Sequence, residues 1–177
     1  MLKLVNPAIL SLTISLLSVS VAFAEVAQSA PSGFKVVEQV SIAAAPDKVW
    51  PVLTHPEKWW LSEHSFSGDA KNFKLELKAG GCWCEIWKGG SAKHMTVVYI
   101  NPGKELHLQG ALGPLQWQGV SGGLVLQLAA DGAGTKLKMV YTVGGFSDPP
   151  LDKLAPDVDQ VLGAQMASLK AKVEAEH

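Results

Sequence analysis

The sequence predicts an α+β domain in which one curved antiparallel sheet of about seven strands is covered by a single long C-terminal helix. Three observations carry this. From Phe73 the apolar period is two, with Phe73, Leu75 and Leu77 alternating with Lys74, Glu76 and Lys78. Turn residues then recur at roughly the spacing of an antiparallel meander, as far as Val143. After Asp148-Pro149-Pro150 the period becomes helical, with Leu154, Val158, Val161, Leu162, Leu169 and Val173 as the apolar positions. A sheet that is apolar on one face needs a cover, and this helix of about 20 residues is the only element large enough.

The elements follow in order. Phe34 to Ala43, rich in Val and Ile, reads as a strand. Ala45-Pro46-Asp47 opens a helix, because proline is pre-set for a first helical turn, and Val49, Trp50 and Leu53 share its inner face. Pro56 starts a second short turn through Trp59 and Trp60, and residues 61–72 form a loop holding His64. Strands are expected from Phe73, over Cys82–Lys88, Lys93–Ile100 and Glu105–Ala111, and over about Val120–Ala129 and Thr135–Val143. Gly80-Gly81, Gly89-Gly90, Asn101-Pro102-Gly103 and Asp131-Gly132-Ala133-Gly134 separate them. None of the glycine pairs precedes Lys-Ser or Lys-Thr, so a phosphate loop has no support. Pro156 marks the first regular turn of the last helix.

The chain has 177 residues, 47% hydrophobic and 18% charged, which suits one domain with a real core and excludes disorder. Fifteen basic residues face sixteen acidic ones, and every basic residue is lysine. Without arginine or a basic patch, nucleic-acid binding is not expected. The His residues lack a recurring ligand spacing, so no metal is expected, and no cofactor either.

Lys3, the apolar run from Ala8 to Ala22 and the small-x-small sequence Ala22-Phe23-Ala24 predict a secretory signal peptide over residues 1–24. Cleavage would start the chain at Glu25, with 25–33 as a lead-in and the domain over 34–174. The protein is then expected to be periplasmic or secreted, with no membrane span left after cleavage. Cys82 and Cys84 would lie on one face of a strand about 7 Å apart, too far for an unstrained bridge. They are therefore read as free packing residues, with a disulfide, which export favours, as the alternative.

Several local patterns resemble the START-like (SRPBCC) superfamily, the helix-grip fold. They are Ser41-Ile42-Ala43-Ala44-Ala45-Pro46-Asp47-Lys48-Val49-Trp50, Trp59-Trp60, Gly80-Gly81-Cys82-Trp83-Cys84-Glu85, Asn101-Pro102-Gly103-Lys104-Glu105-Leu106 and Val158-Asp159-Gln160-Val161-Leu162. The last four are similar to its polyketide-cyclase and heat-shock-protein ATPase-activator-like branch. The resemblance spans about residues 34–174. It implies a cavity between sheet and final helix, and it implies that Trp83 and Glu85 face that cavity.

All six tryptophans fall between positions 50 and 117. Trp50, Trp59, Trp60, Trp83, Glu85, Trp87, Tyr99 and Leu108 are the expected ligand-binding residues, with the helix around Val158–Val173 closing the pocket. Glu85 and His64 are the catalytic candidates, while His107, between Leu106 and Leu108, should point outward. The facing of Glu85 depends on its hairpin. A two-residue Gly89-Gly90 loop pairs position 85 with 94 and puts Glu85 beside His94 on the outer face. A three-residue loop pairs 85 with 95 and turns Trp83, Glu85 and Trp87 inward. An inward carboxyl would have its pKa raised by desolvation.

Two functions of different classes follow. One is an exported module that binds a small hydrophobic or aromatic molecule. The other is a cyclase-, dehydratase- or hydrolase-type enzyme using Glu85, with His64 or Tyr99, in the same cavity. A chaperone-linked interaction domain, which the resemblance also implies, is a third.

Overall fold

The computed structural model describes residues 23–177. Most of the expected signal peptide lies outside the described residues. Eight antiparallel strands form one sheet: β1 (Phe23–Ala30), β2 (Gly33–Ile42), β3 (Phe73–Leu75), β4 (Cys82–Trp87), β5 (Gly90–Asn101), β6 (Glu105–Gly110), β7 (Gly119–Asp131) and β8 (Gly134–Phe146). Their order is β1-β2-β8-β7-β6-β5-β4-β3. Between β2 and β3 come helix α1 (Pro46–Leu53) and three short 3-10 turns; α2 (Leu151–Glu176) closes the chain. Among the described residues, no helix is long and apolar enough to cross a membrane.

The α+β helix-grip architecture is as expected, with one more strand. β1 begins at the last two residues of the expected signal peptide, runs through most of the stretch read as a lead-in, and pairs antiparallel with β2. Its sequence is mostly Ala, Gln, Ser and Glu, which carries little strand signal, and Val26 is its residue packed on the core. Alternation holds on the inner face, where Phe34, Val36, Val40 and Ile42 of β2 meet Leu137, Met139, Tyr141 and Val143 of β8. Leu151, Ala155, Leu162, Met166, Leu169 and Val173 of α2 pack on that face. Each such burial is worth about 1.5–3 kcal/mol for the larger aliphatic side chains.

Helix α2 starts earlier than expected and runs 26 residues. The amide of Leu151 donates to the carbonyl of Pro31 at 3.0 Å, which fixes its start beside the β1–β2 turn. At the other end Glu174 accepts from the amide of Ala43 at 2.9 Å, and Lys170 reaches the Ser41 carbonyl. The helix is thus pinned beside the start of β2 at one end and beside its finish at the other.

The β4–β5 hairpin follows neither expected register. Its turn is Lys88-Gly89, so Trp87 pairs with Gly90 and Glu85 with Ala92. A bulge then shifts the ladder, so that Cys84 pairs with Lys93 but Trp83 with Met95, which leaves His94 as the extra residue. The bulge turns both His94 and Met95 inward. The reading of the cysteines as free is corrected as well: Cys82 and Cys84 form a disulfide, their Cα atoms only 5.3 Å apart rather than the spacing of a regular strand.

Candidate functional site

Cavity space is concentrated at one end of the gap between sheet and helix. A cavity of about 470 Å³ opens there, bounded by three pieces of chain. The loop after α1 supplies Trp60, Glu63, His64, Ser65 and Phe66. The segment after β6 supplies Leu112, Gly113, Pro114, Leu115 and Gln118, and the first half of α2 supplies Leu154, Asp157, Val158, Val161 and Leu162. His94 is the contribution of the sheet.

The loop over the cavity is held on three sides. Ser168 of α2 donates its hydroxyl to the Trp59 carbonyl at 2.6 Å, and Gln165 accepts from the Leu61 amide at 2.8 Å. Trp60 closes the loop internally, its indole N–H donating to the His64 carbonyl at 3.0 Å. Glu85 holds the far side, accepting from the amides of Phe66 at 3.0 Å and Ser67 at 2.5 Å. The opposite rim hangs from Tyr141, whose phenol oxygen accepts from the Leu112 amide at 3.0 Å. Burial pushes that phenol up to about 12. Gly122 leaves room for the Tyr141 ring beside β7, because a Cβ there would stand 2.9 Å from the ring and from two carbonyl oxygens.

Glu85 is fully buried, and its remaining partner is His94, with Oε2 3.1 Å from Nε2. Burial drives the Glu85 carboxyl up, but the hydrogen bonds from Ser67, Phe66 and His94 outweigh it and hold the group below its ordinary value. The expected upward shift is therefore corrected: this carboxylate is solvated by backbone amides. Burial lowers the His94 pKa by more than Glu85 raises it, so the ring is neutral. A carboxylate only accepts, so Nε2 carries the proton and Nδ1 the lone pair. The Gln116 amide nitrogen meets Nδ1 at 3.4 Å, and Phe66 stacks on the ring with centroids 5.4 Å apart and planes 11° apart.

The sequence-derived site residues separate into groups. Trp60 and His64 line the cavity, and Glu85 lies behind its wall, joined to it through His94. Trp59, Trp83 and Leu108 belong to a packed end where Leu53, Pro56 and Trp59 cover the sheet, and the void among them is about 10 Å³. There Trp60 meets Trp83 edge-on at 5.1 Å and Phe73 at 5.8 Å. Trp50 and Trp87 are half-buried away from the cavity, and Trp50 packs on the outside of the core. Tyr99 lies on the outer face beside His107, 45% exposed, because a second bulge between Val97 and Tyr99 breaks the alternation.

His94 was the residue the sequence reading missed as a cavity group. Each expected register held half the answer, since Glu85 does face inward and does meet His94. Among the described residues, no three His, Cys, Asp or Glu side chains converge as metal ligands.

The fold recurs in solved structures. An uncharacterised protein from Rhizobium leguminosarum superposes with a TM-score of 0.60 at 17% identity, covering 88% of this chain and 99% of that one. A Rhodobacter sphaeroides protein gives 0.58 at 17% identity, covering 88% and 100%. One from Nitrosomonas europaea gives 0.57 at 16%, covering 85% and 99%. No curated protein matches. The family model described as polyketide cyclase / dehydrase and lipid transport matches residues 33–174, from the first residue of β2 into the last turns of α2. With nearly the whole described domain inside that match, the chain belongs to the polyketide cyclase/dehydrase and lipid-transport family.

Proposed function

We propose that this protein is an exported carrier that holds one small hydrophobic or aromatic molecule between the first half of α2 and the loops facing it. The cavity carries the reading. About 470 Å³ is within the usual range for small-molecule sites, and its walls are mostly aliphatic and aromatic with a few polar groups placed among them. Family membership supports the same class of ligand. Export rests on Lys3, the apolar run after it and Ala22-Phe23-Ala24.

Glu85 supports the carrier reading over direct carboxylate catalysis. Both of its oxygens are engaged, by Phe66, Ser67 and His94, so it serves to fix the loop and the imidazole. An enzyme reading of the cavity shifts the reacting base to His94, a neutral imidazole with a carboxylate behind it.

The test is titration with N-phenyl-1-naphthylamine, an uncharged dye that brightens in apolar surroundings. Binding with a stoichiometry near one, and a co-purified small molecule in native mass spectrometry of periplasmic protein, is the expected result. A chain that neither binds the dye nor retains a molecule overturns the proposal.

A further inference from the structure

Resting on the cavity reading above, the geometry points to a specific ligand chemistry: an uncharged apolar molecule bearing a hydroxyl that donates to Nδ1 of His94, with carboxylates rejected. The cavity wall contains no lysine, and the chain contains no arginine. Its ionisable side chains are Glu63, Asp157, His64 and His94, with the Glu85 carboxylate directly behind His94. A carboxylate ligand would leave water to face like charges with no cation to receive it, which is a heavily penalised burial.

His94 is the polar group set deepest in this wall, only 4% exposed, whereas Glu63 and Asp157 lie at the solvent-exposed rim. Its tautomer is dictated from behind. Glu85 accepts a hydrogen bond from Nε2–H, which leaves Nδ1 as an acceptor with nothing to donate. The amide that meets Nδ1 comes from Gln116 at 3.4 Å, the long limit for such a bond. Gln116 lies on the Gly113–Trp117 turn, whose Gly113, Pro114 and Leu115 form cavity wall. A hydroxyl at an ordinary 2.7–2.8 Å would satisfy Nδ1 better than this amide does. The stacked Phe66 ring provides flat apolar surface beside it, and Trp60 adds another aromatic face to the same cavity.

The experiment compares three probes with one skeleton, 2-naphthol, 2-methylnaphthalene and 2-naphthoate, by displacement of the naphthylamine dye from the full protein at pH 7.5. Naphthol should bind about tenfold more tightly than methylnaphthalene, and naphthoate at least tenfold more weakly than naphthol. His94→Leu should bring the naphthol-to-methylnaphthalene ratio to about one. Should that variant fail to fold, ¹⁵N NMR of the wild-type imidazole decides. Nδ1 should resonate as an unprotonated nitrogen and shift on adding naphthol but not methylnaphthalene. Equal affinities for the three probes, or naphthoate as the tightest, overturns the inference while leaving the cavity reading intact. Failure of the dye itself to bind removes both.

Discussion

The space over the sheet beneath the end of α1 and the space facing α2 draw on similar residue types and come out differently. At one end Trp59, Trp83, Leu106 and Leu108 interlock until only about 10 Å³ remains. At the other, Leu154, Val158, Val161 and Leu162 of α2 face Phe66 and Leu115 across about 470 Å³. The difference lies in what stands opposite the aliphatic wall. The packed end has indole rings from two directions, Trp59 and Trp60 from the loop and Trp83 from β4, meeting at angles that fill space. At the open end the loops that carry the opposing side chains are tied to the sheet by Glu85 and Tyr141, and Gln165 of α2 fixes the first of them at Leu61. A curved sheet and a straight helix leave room somewhere, and the placement of large aromatics decides where.

The largest test of this contrast is Trp83→Ala. Removing a buried indole from the packed end should lower the unfolding free energy by about 3–5 kcal/mol in denaturant titrations. Dye affinity of the remaining folded protein should change by less than about threefold. A large loss of binding would show that the two ends are one site.

A second test concerns the helix that walls the open end. Glu38 of β2 is buried beneath α2, where burial, the charge of Asp159 and a hydrogen bond with Asp159 push its carboxyl up to about 7. A carboxyl with a raised folded pKa contributes stability that is complete below its ordinary value of 4.5 and is lost as pH rises through 7. The loss amounts to at most roughly 3–4 kcal/mol. Chemical denaturation at pH 5, 6, 7 and 8 should show it, and Glu38→Gln should flatten the profile and raise stability at pH 8. A profile unchanged by the substitution would assign the pH dependence elsewhere.

The smallest effect is expected from filling the open end. Val158 is half-buried on the cavity wall, so Val158→Trp should weaken dye binding at least tenfold, about 1.4 kcal/mol, with stability within about 1 kcal/mol of the parent. Undiminished dye binding would place the site elsewhere.

The architecture was legible because periodicity reports it directly. The two-residue alternation from Phe73 and the helical spacing from Leu154 to Val173 each point to one buried face. β1 was not legible, since its small polar residues are held by pairing with β2 rather than by a pattern of their own. The site was legible only in part. Trp60, His64 and Val158 line the cavity, but nothing local separates them from Trp59, Trp83 and Leu108, which fill the core. The bulges at His94 and Val98 are the physical reason for the largest errors. One extra residue in a ladder reverses every facing beyond it, and no residue type announces these two. The disulfide was missed because Cys82 and Cys84 lie 5.3 Å apart at Cα, closer than regular strand spacing allows.

Glu85 grips the loop at Phe66 and Ser67 with the same carboxylate that orients His94. For anyone redesigning this scaffold, position 85 is therefore a poor place to diversify, because a single change would loosen the doorway and scramble the interior acceptor together. Positions 154, 158 and 161 offer the opposite. They project from one regular helix into the open space, so a combinatorial library confined to them would retune ligand shape while the hinge-pin of the doorway stays in place.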